Sequence, residues 1–197
     1  MADGGSTDQT LQEISARGIQ GIQHIQAEAG RGQQQHSGAK AASGDILLFL
    51  HCDTALPETF SEDVCSTLQE EEVIAGAFRL HINERRSGFR LIEAGVQLRS
   101  SLLQLPYGDQ TLFMKKETYF AVGGFQKQPI MEDFALVLHL QKYGRISLTQ
   151  THVTTSARRW QQHGLVKTTL INQLMLVGRV IGFSPQQLAR LYYAQRK

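Results

Sequence analysis

Apolar residues gather in short clusters along the chain, and the period within each cluster separates strands from helices. Ile46 to Leu50 is an unbroken apolar run, with Gly44-Asp45 before it and a polar cluster and Pro57 after it. That pattern predicts a strand covered on both faces, which would deliver His51, Cys52 and Asp53 to the carboxyl edge of a sheet. Val73 to Ile82 reads as a second strand, with Ala75, Ala77, Phe78, Leu80 and Ile82 as its apolar points. Shorter strands are expected at Ile19 to Ala27 (around Ile22 and Ile25), Thr111 to Met114, Arg145 to Leu148 and Val153 to Ser156. Helical patterns lie between them. The first follows the Asp3–Asp8 loop to about Arg17, with Ser6 or Thr7 as N-cap. Others cover Gly30 to Ser43 with Arg31 at the start, Pro57 to Glu72, and Gly88 to Leu105 with Arg90 and Arg99. Lys116 to Val122 is a helical turn that Gly123-Gly124 should stop. The helix opened by Glu132-Asp133 is apolar around most of its girth, which predicts burial on several sides, and it ends at Tyr143-Gly144. Gly164 to Gly182 carries apolar points at Val166, Leu170, Leu174, Val177 and Ile181. Ser184-Pro185-Gln186-Gln187 reads as a helix start, with Ser184 as cap, Pro185 at the first position and Gln187 closing a capping box.

Alternating strands and helices in 197 residues predict one α/β domain with a core of useful size. The net charge of +2 is too small to argue for nucleic acid. Two cysteines, Cys52 and Cys65, make neither a disulfide framework nor a CxxC pair, which points to a reducing cytoplasm. The N-terminus shows no signal-peptide pattern. No apolar run reaches the ~18–20 residues of a membrane span. Peripheral contact with the inner face of a membrane is the most that the helix from Gly164 to Gly182 suggests.

Asp3, Asp53, Asp109 and Asp133 all fall at expected loops or helix starts, where chemistry tends to reside. Each alone reads first as a helix cap or a solvated turn, and their joint placement at strand–helix junctions raises the functional reading. The adjacent His51-Cys52-Asp53 does not suit zinc, because neighbours on a strand point to opposite faces.

Taken in order, Asp3-Gly4-Gly5-Ser6-Thr7-Asp8, Gly44-Asp45, His51-Cys52-Asp53, Gly123-Gly124-Phe125 and Glu132-Asp133 resemble the motifs of family 2 glycosyltransferases, which have the GT-A fold. Phe49-Leu50-His51-Cys52-Asp53-Thr54, Pro106-Tyr107-Gly108-Asp109-Gln110 and Ser156-Ala157-Arg158-Arg159-Trp160 resemble a subgroup described as arsenosugar-biosynthesis-type or radical-SAM-associated. The resemblance runs from Asp3 to about Tyr192. It implies a GT-A (nucleotide-diphospho-sugar transferase, Rossmann-like) α/β fold over residues 1–197. The implied activity moves a sugar from a nucleotide-diphosphate donor to a hydroxyl acceptor, with inversion and with help from Mg²⁺ or Mn²⁺. It implies that Asp3, Arg31, Asp53, Arg158, Arg159 and Trp160 contact the nucleotide, and that Asp53 holds the metal. Asp133 is the implied general base, paired with Glu132, and Tyr107, Asp109 and Gln110 border the acceptor. Three departures stand out. His51 replaces the first Asp of the wider family's Asp-X-Asp, which should weaken metal affinity. Cys52 and His36 stand where the subgroup has Ala and Asn.

The family pattern places a strand, a helix and a second strand before the Asp3 loop, whereas here only Met1-Ala2 precede it. The expectation is therefore a GT-A domain lacking these elements at its N-terminus, prone to self-association through an open sheet. The alternative function is a non-catalytic or inactive truncated remnant of a sugar-nucleotide-binding fold.

Overall fold

A computed structural model describes residues 1–16, 18 and 21–194. The elements in chain order are β1 (Ala2–Asp3), α1 (Thr10–Ala16), β2 (Ile25–Gln26), α2 (Arg31–Ala41), β3 (Ile46–Leu48), β4 (Thr54–Ala55) and α3 (Phe60–Gln69). After these come β5 (Val73–Ile82), α4 (Ser87–Leu102), β6 (Phe113–Lys115), α5 (Lys116–Ala121), α6 (Glu132–Leu140) and β7 (Arg145–Thr155). The chain closes with α7 (Arg158–His163), α8 (Leu165–Val180) and α9 (Pro185–Ala194). A 3₁₀ turn, Gly108–Gln110, precedes β6.

Five strands form a mixed sheet in the order β3-β6-β5-β7-β4, and β1 and β2 pair separately in parallel. Only the β5–β7 contact within the larger sheet is parallel. Strand β5 is its spine. Ala75 and Ala77 face one apolar cluster with Leu136, Val137 and Leu140 of α6 and Tyr119 of α5. Phe78, Leu80 and Ile82 face the other, with Val64 of α3 and Phe89 of α4. Burial on both faces explains why this strand is apolar almost throughout. Gly76 is required by packing. A Cβ there would come within 2.3 Å of the Phe113 ring, so the ring lies directly on the backbone.

Several expectations need correction. Strand β3 is not covered on both faces. It lies at the sheet's edge, with Leu47 and Phe49 buried while Ile46 and Leu50 are 38% and 43% exposed. The expected strands at 145–148 and 153–156 are one continuous strand, β7, kept in pair with β5 by two register irregularities. Thr54–Ala55 forms a strand and 158–163 a helix, neither of which local pattern suggests. Ala2–Asp3 supplies a short strand before the Asp3 loop. Neither Ser6 nor Thr7 caps α1. The Asp8 carboxylate instead accepts the Thr10 N–H at 3.0 Å. The expected end of α1 at Arg17, and Ile19 of the expected second strand, lie outside the described residues. At the other end the Ser184–Gln187 capping box forms as read: Ser184 N–H donates to Gln187 Oε1 at 2.9 Å, and Gln187 N–H to Ser184 Oγ at 3.3 Å.

Candidate active site

Helix α6 begins at a strained point. Met131, just before it, has φ 60°, in the left-handed region that a residue with a side chain seldom adopts. That turn sets Glu132 and Asp133 in the first helical turn, both buried. Asp133 Oδ1 accepts its own helix's Phe134 N–H at 2.8 Å, and Oδ2 accepts the Gly108 N–H at 2.9 Å. Arg31, the first residue of α2, bonds Glu132 through Nε and lies 3.3 Å from Asp133 Oδ2 through Nη2. Burial disfavours the Arg31 charge, but Asp133 and then Glu132 outweigh it and hold the guanidinium firmly protonated. Gly32 makes this approach feasible, since a Cβ there would lie 2.8 Å from Glu132 Cγ.

His51 joins the same cluster. A Cβ on Gly108 would lie 3.1 Å from both Asp133 Oδ2 and His51 Nε2, so Gly108 is wedged between the carboxylate and the imidazole. Burial, and then Arg31, push the His51 ring below its ordinary pKa, although Asp109, Asp133 and Asp53 favour its charged form. His51 Nε2 and Asp109 Oδ1 are both buried without a hydrogen-bond partner. Asp109 is pushed up, above all by burial. Unpartnered polar atoms clustered around one carboxylate mark a place for a polar ligand.

The 107–110 loop is braced from behind. Arg99 stacks on the Tyr107 ring at 3.7 Å and donates to Leu105 O at 3.0 Å. The Tyr107 hydroxyl is buried without a partner and pushed up to about 12 by burial. Gln110, expected at the acceptor, is fully buried. Its Oε1 accepts Ser100 Oγ at 2.8 Å and its Nε2 donates to Phe78 O at 3.1 Å, so the amide positions the loop. Arg99 had no expected role. Only the tertiary fold brings it beneath Tyr107.

The expected nucleotide contacts separate into two places. The Asp53 side chain is exposed on the turn after β3, while its backbone carbonyl accepts the Ser156 N–H at 3.2 Å. Pairing of Thr54 with Thr155 brings the two distant segments together, and a cleft opens among Asp53, Asn83, Thr154, Ser156, Arg158 and Gln161. Arg159 and Trp160 do not join it. Arg159 donates to Asn172 Oδ1 at 3.1 Å and to the Tyr192 hydroxyl, bracing α8 and α9. Trp160 packs edge-on against Phe89, with its Nε1 buried and unpartnered. Asp3 is occupied by its own loop, accepting Gly5 N–H at 2.9 Å, Ser6 N–H at 3.0 Å and the Ser6 hydroxyl. The Ser6 hydroxyl, then the backbone donors, hold that carboxyl below its usual range.

Among the described residues no three His, Cys, Asp or Glu side chains form a metal cage. The donor set at Asp53, one exposed carboxylate beside Arg158, fits a hard cation that shares its shell with phosphate oxygens and water. It does not fit a resident metal held by protein alone.

His36 also finds a role. Its Nδ1 lies 2.9 Å from the Tyr119 hydroxyl, which accepts the Phe125 N–H at 3.0 Å. Gly124 has φ 60°, and a Cβ on it would lie 2.7 Å from the Tyr119 ring, so Gly123-Gly124-Phe125 is a turn folded tightly over Tyr119.

The family model for glycosyl transferase family 2 matches residues 1–128, and the chain belongs to that family. Its α/β fold is that of the GT-A enzymes. No curated protein matches the chain in sequence. Among solved structures, Staphylococcus aureus TarS 1-349 aligns with TM-score 0.59 at 19% identity, over 79% of this chain and 50% of that one. Mycobacterium tuberculosis glucosyl-3-phosphoglycerate synthase, in complex with phosphoglyceric acid, aligns at 0.52 and 18%, over 79% and 57%. The Pyrobaculum calidifontis mannosyltransferase PcManGT, in complex with GDP-Man and Mn²⁺, aligns at 0.57 and 17%, over 79% and 46%. The chain spans about half the length of these structures, and at such identities the likeness is one of fold.

Proposed function

We propose that the protein transfers a sugar from a nucleotide-diphosphate donor to a hydroxyl acceptor, with inversion at the anomeric carbon and Asp133 as general base. The observation that carries this reading is the carboxylate of Asp133 clustered with His51, Asp109 and Arg31, with His51 two residues from Asp53 in the cleft that also holds Arg158. The backbone donors of Gly108 and Phe134 hold Asp133 in one orientation, as a base must be held. The acceptor oxygen forms a bond to the anomeric carbon, its proton passes to Asp133, and the bond to the diphosphate oxygen breaks. Arg158 is the cleft's own cation for the departing diphosphate. Asp53 would hold Mg²⁺ or Mn²⁺, which when bound neutralises charge on the leaving group. Mn²⁺ in PcManGT and in a glucosyl-3-phosphoglycerate synthase complex supports a divalent cation. Tyr107 and Asp109 border the acceptor side. The His51-Cys52-Asp53, Pro106–Gln110 and Ser156–Trp160 segments support the arsenosugar-biosynthesis-type subgroup.

A second reading, a non-catalytic sugar-nucleotide-binding module, is favoured by one feature: every oxygen of Asp133 already accepts a hydrogen bond. Turnover of UDP- and GDP-sugars with Mg²⁺ or Mn²⁺ decides between them. Transfer or donor hydrolysis that disappears in Asp133→Asn supports the enzyme. Nucleotide binding without turnover establishes the binding module instead.

A further inference from the structure

Helix α8 is folded with its polarity reversed. The side it turns inward carries Thr168, Met175 and Gly178, with Asn172 accepting from Arg159. The side it turns outward carries Val166, Leu170, Leu174, Val177 and Ile181, which are 65%, 57%, 59%, 52% and 67% exposed. These positions recur every third or fourth residue, so they form one straight apolar stripe along the helix. The inward side is committed: Gly178 touches Leu188 of α9 so closely that a Cβ would lie 2.7 Å from its Cδ2. Rotating α8 to hide the stripe would therefore break the α8–α9 contact. Helix α4, which meets α8 where Gly88 approaches Leu165, repeats the feature with Leu91, Leu98 and Leu102 exposed. Its one carboxylate, Glu93, turns inward to Arg90 and the Ile82 N–H.

Charge decides what covers this face. Residues 157–197 contain Arg158, Arg159, Lys167, Arg179, Arg190, Arg196 and Lys197 and not one Asp or Glu. A second copy packed stripe to stripe in parallel would set Lys167, the exposed cation beside the stripe, against its own kind. No described helix is long and apolar enough to cross a membrane. An aliphatic stripe beside the exposed Lys167, in a segment that carries basic residues and no acidic one, matches an anionic bilayer surface. We propose that α8, with α4 beside it, docks in the plane of an anionic membrane and sinks its stripe to the depth of the headgroups. This holds whatever sugar the site takes, and is independent of catalysis.

The test is flotation of the full chain with vesicles of phosphatidylcholine alone or one-third phosphatidylglycerol, at low and high salt. The chain should float with the anionic vesicles and lose binding as salt rises. Leu170→Glu/Leu174→Glu should reduce vesicle affinity by about tenfold or more for each leucine. Lys167→Glu should reduce it by about fivefold or more. Circular dichroism melts matching the parent confirm that these exposed changes leave the fold intact. Equal binding to neutral vesicles, or no binding to either, overturns the proposal. So does a dimer in light scattering that dissociates in Leu170→Glu/Leu174→Glu while vesicle binding is absent, which assigns the stripe to a second copy.

Discussion

Asp133 and Asp53, the two carboxylates on which the proposed chemistry turns, live in opposite surroundings. Asp133 is buried, held by two backbone donors and flanked by Arg31, with an imidazole across Gly108. Asp53 is exposed in an open cleft with Arg158. The difference suits the two proposed tasks. A base that takes one proton in one direction gains from being fixed before substrate arrives. A carboxylate that meets a cation carried by a diphosphate gains from staying hydrated until the ligand completes its shell. On that proposal one site is finished by the protein, and the other by its ligand.

Paired variants sharpen that contrast, beginning with the largest effect. Asp133→Asn should lower kcat by ~10²–10⁴-fold while leaving the donor Kd nearly unchanged. The two constants must be measured separately, because losses of equal size in both would make Asp133 a structural residue. Asp53→Ala should do the reverse. Calorimetry with UDP or GDP should show Mn²⁺-dependent affinity falling by about 10–100-fold or more, with stability unchanged within ~0.5 kcal/mol. Unaltered Mn²⁺-dependent binding would remove Asp53 from the metal.

Stability should divide along the same line. Arg31→Ala leaves Glu132 and Asp133 without their cation. The expected loss in urea melts is about 2 kcal/mol, less than the ~3–5 kcal/mol of a fully buried pair, because the Arg31 side chain is 51% exposed. A loss no larger than that of Arg158→Ala would erase the distinction between the two regions. The smallest effect concerns pH. Burial, with Arg31 second, lowers the His51 pKa from its ordinary 6.5, so below that value the unfolded chain takes up a proton that the native ring resists. The stabilising contribution of neutral His51 is complete above about 6.5 and declines as the pH falls toward the lowered native value. His51→Gln should flatten the stability profile over that window, and an identical acid slope in parent and variant would refute the assignment.

Much of this molecule could be read from local pattern. The apolar girth of Phe134 to Leu140, the apolar run of β5, the Gly123-Gly124 stop and the Ser184 capping box depend on residues within a few positions of one another, where periodicity and capping chemistry act directly. The ordered carboxylate motifs likewise lie in loops that local sequence marks. Longer-range facts were decided by the tertiary structure. Local pattern made the run at Ile46 a doubly covered strand, but β3 lies at an edge because sheet order depends on pairing with β6, far along the chain. Arg158 lines the cleft of Asp53 while Arg159 turns to Tyr192, because the Thr54–Thr155 pairing and the start of α7 send consecutive side chains in different directions. In the sequence His51 aligns with a metal motif, yet its ring faces Gly108 and Asp133, a contact across more than fifty residues. The apolar side of α8 was visible as a stripe, but not that it would face outward. A helical pattern reports which residues share a face, and only the packing of Gly178 on Leu188 decides which face is turned in.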